Sequence, residues 1–183
     1  MTSGAVYIGL GSNLGDRFVA LETAFQSLKV MEDSQLTAVS GIYETSPVGV
    51  NSGLFLNAVA GIATGLSPRR LLARLLSLEN DMGRARGKVR GIGSKGARVI
   101  DLDLLLYGDT EIHDRDFQLP HPRMLHRRFV MEPLAELAPD LKIPPSGISA
   151  RTAAARLAKY SPEQEIRRLG TLEEIKESSR FEV

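Results

Sequence analysis

The chain has 183 residues, 43% of them hydrophobic, and a formal net charge of +1, so it can bury a sizeable core as one domain and carries no general attraction for polyanions. It contains no cysteine, which excludes disulfides and thiolate metal sites and favours hard ions on oxygen ligands, magnesium over zinc. No apolar run approaches the ~20 residues that cross a bilayer and no basic stretch leads into an apolar core, so a soluble, cytoplasmic protein with neither membrane nor nucleic-acid partners is expected.

In chain order, Ala5 to Gly11 reads as a first strand entering a glycine turn. The run Gly9-Leu10-Gly11-Ser12-Asn13-Leu14-Gly15 is not a dinucleotide fingerprint, because Leu14 stands where that pattern requires glycine. Asp16 is placed to cap a helix whose Leu21, Ala24, Phe25 and Leu28 fall on one face. Gln35 to Tyr43 reads as a second strand, closed by the turn Thr45-Ser46-Pro47-Val48-Gly49. Leu54 to Thr64 is apolar enough for a central strand, and its conspicuous polar residue, Asn57, is either a hydrogen-bonded core amide or a ligand contact. Ser67-Pro68 offers a capping hydroxyl and a first-turn proline to a second helix, with Leu71, Leu75, Leu78 and Met82 as its buried stripe. Glu79, by position alone, reads as a solvated side chain of that helix.

Composition changes sharply after Asp81. Before Asp101 there is no acidic residue, whereas Arg84, Arg86, Lys88, Arg90, Lys95 and Arg98 are interspersed with glycines, the pattern of a mobile cationic loop. The loop runs into Val99 to Tyr107, a branched apolar strand ending at Gly108-Asp109. Asp101 and Asp103 share one face of it, about 7 Å apart along the strand, while Ile100, Leu102 and Leu104 point the other way. Two unpaired carboxylates there would be costly, so they face either arginines or divalent metal. The basic loop before them and the cluster His121, Arg123, His126, Arg127 and Arg128 after them favour metal and polyphosphate, with arginines neutralising the remaining charge. Ile148 to Tyr160 is alanine-rich and helical in pattern, and the charged residues 161–183 read as an appendage, partly helical or frayed.

Seven motifs in order carry a family resemblance: Gly9 to Gly15, Tyr43 to Gly49, Phe55-Leu56-Asn57, Gly83-Arg84-Ala85-Arg86, Ile100 to Asp109, Leu119-Pro120-His121-Pro122-Arg123, and Pro133 to Asp140. In these the chain resembles 6-hydroxymethyl-7,8-dihydropterin pyrophosphokinases. The resemblance, over about Val6 to Asp140, implies a ferredoxin-like α+β sandwich, mostly antiparallel with helices on its faces, and residues 1–160 are expected to form this domain. It implies transfer of a diphosphoryl group from ATP to a pterin alcohol in folate biosynthesis, releasing AMP, with two magnesium ions. By the same resemblance Asp101 and Asp103 are the metal ligands and, with Arg84 and Arg86, the catalytic set. Glu79, Arg84, Arg86, Arg98, His121 and Arg127 serve ATP, and Thr45, Val48, Phe55, Asn57 and Phe129 hold the pterin.

The family commonly carries a tryptophan in the loop before the metal strand, whereas this chain reads Ile92-Gly93-Ser94-Lys95-Gly96-Ala97-Arg98 and has no tryptophan at all. It also has Pro122 where an aromatic residue often follows the histidine. The glycine-rich loop is expected to close as a lid over the phosphates. A magnesium-dependent nuclease or nucleotidyltransferase, or a non-catalytic nucleotide-binding module, would use the same aspartate pair and stays open on the residues alone.

Overall fold

The computed structural model describes residues 4–47, 53–83 and 99–180. Its first strand shows how the sheet is built. In β1 (Val6–Ser12) the even residues Val6, Ile8 and Leu10 join one apolar core, while Tyr7 joins another on the opposite face. Alternation of side chains along a strand makes this division. Asp16 caps α1 (Arg17–Lys29), its carboxylate accepting from the Phe18 and Val19 N–H groups, and Leu21, Ala24, Phe25 and Leu28 are buried against the first core. Leu21, Phe25 and Leu28 each contribute about 1.5–3 kcal/mol when fully buried.

The next strands are β2 (Ser34–Val39), β3 (Ile42–Thr45) and β4 (Phe55–Thr64), followed by α2 (Pro68–Asp81) and β5 (Asp101–Tyr107). Two short strands, β6 (Ile112–His113) and β7 (Gln118–Leu119), form a hairpin. After a helical turn at Met124–His126 come α3 (Arg128–Leu137), the paired β8 (Lys142–Ile143) and β9 (Ile148–Ser149), α4 (Ala150–Tyr160), β10 (Ile166–Gly170) and α5 (Leu172–Arg180).

The main sheet is six-stranded and antiparallel, in the order β10-β3-β4-β1-β5, with β2 also paired to β4. Leucines of α1 and α2 pack on one face, in the core containing Leu102 and Leu104. Val130, Met131 and Leu134 of α3 and Ala153 and Leu157 of α4 pack on the other, with Tyr7, Val59 and Leu105. This is the expected α+β sandwich, a ferredoxin-like arrangement of helices on the faces of an antiparallel sheet.

Four local expectations change. The strand expected over Gln35 to Tyr43 is two strands, because Val39 pairs with Ala60 and Tyr43 with Asn57, leaving three residues opposite two. The Ser40 hydroxyl fills this break, accepting from Val59 N–H and donating to Gly41 O. Ser67 stands at the N-cap of α2 but makes no side-chain capping bond. Glu79 is not solvated; it is 1% exposed. The stretch beyond residue 160 is not merely appended, since β10 pairs with β3 at the edge of the main sheet.

Candidate active site

The site is a consequence of strand register. Asn57 of β4, Gly11 of β1 and Asp101 of β5 are successive cross-strand partners, and Val59, Gly9 and Asp103 form the adjoining row. Strands lie about 4.8 Å apart, so Asn57 and Asp101 are separated by about 10 Å. Between them stand glycines, which raise no side chain above the sheet. The result is a floor with carboxylates along one side, an amide along the other and a middle that is bare at Gly11, while the Leu105 side chain packs beside Gly9.

A cavity of about 430 Å³ sits on this floor. Asp101 and Asp103 line one side of it, Thr45, Phe55 and Asn57 the other, and Phe129 and Arg127 close it from the start of α3. Asn57 and Thr45 are both buried, and Asn57 Nδ2 donates to Thr45 Oγ1 at 2.8 Å. That bond orients the amide and leaves its oxygen, beside Gly11, on the cavity side. The Arg127 guanidinium lies 5.3 Å from the centre of the Phe129 ring, within cation–π range.

Asp103 faces a guanidinium and an imidazole directly. Arg127 Nη1 is 3.6 Å and His121 Nε2 3.9 Å from its Oδ2, and its side chain is 37% exposed. Burial holds His121 below its ordinary value of 6.5; Asp103 pulls the other way, while Arg127 and Arg123 push it further down. The imidazole is therefore neutral at neutral pH. Its Nδ1 accepts from the Arg123 N–H at 3.2 Å, which puts the remaining proton on Nε2, toward Asp103.

Glu79 reaches β5 from behind. It belongs to α2, and its Oε1 accepts from the Leu102 N–H at 2.8 Å. Leu102 is the residue between the two aspartates, so the acid acts on the strand rather than lining the cavity. Among the described residues there is no cluster of three or more His, Asp or Glu able to hold a metal by themselves. Two adjacent carboxylates opening on a polar cavity suit magnesium, which keeps waters and takes substrate phosphate oxygens to complete its shell.

The structure thus brings together Thr45, Phe55, Asn57, Asp101, Asp103, Arg127 and Phe129, with His121 beside Asp103 and Glu79 beneath. Val48, Arg84, Arg86 and Arg98, and the expected lid, lie outside the described residues. Arg123 and His126 of the basic cluster also line the cavity, as do Gly9 and Gly11, to which the sequence alone assigns no site role. Alternate glycines within a strand were the available signal, since they mark close approach of a ligand or another backbone.

Residues 7–139 match the family model of 7,8-dihydro-6-hydroxymethylpterin-pyrophosphokinase (HPPK). The 2-amino-4-hydroxy-6-hydroxymethyldihydropteridine pyrophosphokinase of Methylorubrum extorquens is 41% identical over 152 residues, covering 82% of this chain and 92% of its own. The protein of the same name from Bacillus subtilis is 42% identical over 137 residues, covering 74% and 79%. A crystal structure of an HPPK-DHPS in complex with substrates shares the fold at TM-score 0.71 with 13% identity, covering 89% of this chain. This chain spans 45% of that longer one. By the match over residues 7–139 and by these identities, the chain belongs to the 7,8-dihydro-6-hydroxymethylpterin-pyrophosphokinase family.

Proposed function

We infer that the cavity over β1 and β5 is where this pyrophosphokinase brings its two substrates together. The chain is an ATP-dependent transferase of folate biosynthesis, and ATP is its co-substrate. The observation that carries the placement is the row Asn57, Gly11, Asp101, which sets an amide and a carboxylate on opposite sides of a bare glycine floor.

The pterin ring would lie on the Asn57 side, its faces against Phe55 and Phe129 and its edge on the Asn57 amide and Thr45 hydroxyl. Aromatic faces suit a flat heterocycle, and a buried amide distinguishes its donors from its acceptors. Val48 joins this side by the family resemblance. The ATP phosphates would lie on the carboxylate side, where Arg127 and His121 donate. Arg84, Arg86 and Arg98 enter the phosphate side through the family resemblance alone. Asp101 and Asp103 would hold two magnesium ions, which supply charge neutralisation to the triphosphate and lower the pKa of a coordinated hydroxyl. Glu79 would serve ATP indirectly, by fixing the strand between the two carboxylates.

The pterin hydroxymethyl oxygen then attacks the β-phosphorus in line. The bond from that phosphorus to the oxygen bridging it to the α-phosphate breaks, AMP departs with the electron pair, and the hydroxyl proton passes to solvent water. No protein nucleophile is required, so the residues contribute by alignment and by electrostatic stabilisation. A nuclease would need the aspartates on an open groove that tracks a backbone, whereas Phe55, Phe129 and Asn57 wall this pair into a small-molecule compartment.

The test is AMP release from ATP and magnesium with and without 6-hydroxymethyl-7,8-dihydropterin, in the wild type and in Asn57→Ala. The wild type should form AMP only with the pterin, and the variant should need much more pterin while its ATP requirement stays unchanged. Equal pterin requirements in the two proteins would contradict the placement.

A further inference from the structure

Arg17 is the first residue of α1, and its side chain leaves the helix to bridge two places far apart in sequence. Nη1 donates to the Leu54 carbonyl at 2.9 Å and Nη2 to Glu44 Oε1 at 3.2 Å. Glu44 is on β3 and Leu54 immediately precedes β4, so one guanidinium holds both ends of the connection between these strands. The far oxygen of Glu44 is occupied as well, accepting from Arg167 of β10 at 2.8 Å. The carboxylate is largely covered, at 17% side-chain exposure. It is therefore a fixed anchor rather than a surface charge.

The next residue along from each anchor lines the cavity. Thr45 follows Glu44, Phe55 follows Leu54, and the two are cross-strand partners. Local preference does not explain the arginine. A cation in the first turn of a helix opposes the macrodipole, by a few tenths to about 1 kcal/mol, and the acidic group at this end, Asp16, is engaged in capping the Phe18 and Val19 N–H groups rather than in pairing with Arg17. The compensation is tertiary, through the two acceptors. A planar fork that donates in two directions can hold a carbonyl and a carboxylate at once, which a lysine ammonium on a flexible stem does less well.

We propose that Arg17 is a positioning residue for the pterin side of the cavity, setting the spacing of Thr45 and Phe55 by clamping Glu44 and the Leu54 carbonyl. The inference rests on the reading of the cavity given above. The aspartates belong to β5, on the far side of β1, so the effect of the clamp is confined to one substrate. Arg17 touches neither substrate and acts through Thr45 and Phe55.

The experiment compares wild type, Arg17→Ala, Arg17→Lys and Glu44→Gln in steady-state AMP release, with separate KM values for 6-hydroxymethyl-7,8-dihydropterin and for ATP, and with thermal midpoints. Arg17→Ala should raise the pterin KM about tenfold, the scale of one charge-assisted hydrogen bond, and leave the ATP KM unchanged. Arg17→Lys, able to satisfy one acceptor, and Glu44→Gln, which keeps an oxygen but loses the charge, should fall between. If Arg17→Ala does not fold, the pterin-to-ATP ratio of KM changes in the other two variants decides. An unchanged pterin KM, or equal rises in both KM values, overturns the role of Arg17. A wild type that forms no AMP with the pterin overturns the reading of the cavity itself, so the two failures are distinguishable.

Discussion

Glu79 and Leu102 are joined by a hydrogen bond from the Leu102 N–H to Glu79 Oε1 at 2.8 Å, made beneath the sheet by a side chain that is 1% exposed. Because Leu102 separates Asp101 from Asp103, this bond fixes the backbone from which both carboxylates project. Leaving a buried N–H unsatisfied costs about 1–3 kcal/mol. Glu79→Leu should therefore lower stability by that order in urea unfolding and also slow turnover, since the carboxylates lose their frame. Glu79→Gln keeps an oxygen for Leu102 and should lie closer to wild type. A Glu79→Leu protein with wild-type midpoint and rate would show that the bond does neither.

The glycine floor makes a separate prediction. A Cβ on Gly11 would lie 3.2 Å from Asn57 Oδ1, a crowded contact that also raises a methyl group into the middle of the cavity. Gly11→Ala should weaken pterin binding by about tenfold, equivalent to about 1.4 kcal/mol, with little change in the far-ultraviolet circular dichroism. Equilibrium titration with the dihydropterin reads this directly, and unchanged affinity would mean that the ring does not lie over Gly11.

Acid stability should depend on Glu136. Burial works against its charged form, but hydrogen bonds from Arg168 and Tyr43, the Arg168 charge and the Gly41 N–H outweigh it and hold the carboxyl below its ordinary value of 4.5. A depressed carboxyl stabilises the fold fully above its unfolded-state value and loses that contribution as pH falls through the folded one. Tyr43 has the opposite sign. Burial, then the hydrogen bond to Glu136, raises its hydroxyl above 10.0, so its contribution is complete below that value and is lost as pH rises. Glu136→Gln should show less loss of stability than wild type on going from neutral pH to about pH 3, and also less loss at alkaline pH, because part of the rise in the Tyr43 pKa goes with the carboxylate. Parallel pH profiles for the two proteins would contradict this.

What could be read from the sequence was whatever repeats locally. The α1 stripe Leu21, Ala24, Phe25 and Leu28 and the alternation of Asp101, Leu102, Asp103 and Leu104 appear in the structure as their spacing implied. Features set by distant partners were not legible. The break at Ser40 is dictated by register against β4, and the burial of Glu79 depends on a backbone N–H 23 residues further along. The strand Ile166–Gly170 carries Arg167 and Arg168 and so resembled a frayed tail; those arginines instead bind Glu44 and Glu136. The aspartate pair was legible as a candidate site because its charge conflicts with an apolar strand. The glycines opposite it were not, because a missing side chain has meaning only once the register is known.

The most direct measurement follows phosphorus from the β position of labelled ATP in the wild type and in Asp103→Asn, each with magnesium and 6-hydroxymethyl-7,8-dihydropterin. On the proposal that Asp101 and Asp103 form the phosphate side of the cavity, the wild type should move the label onto the pterin with one AMP formed per transfer. Asp103→Asn should reduce transfer by on the order of a hundredfold or more, the scale of losing one preorganised electrostatic group, while still folding and binding the pterin. Transfer at the wild-type rate in Asp103→Asn, or label retained on a nucleotide in the wild type, would contradict the carboxylate face as the seat of the reaction.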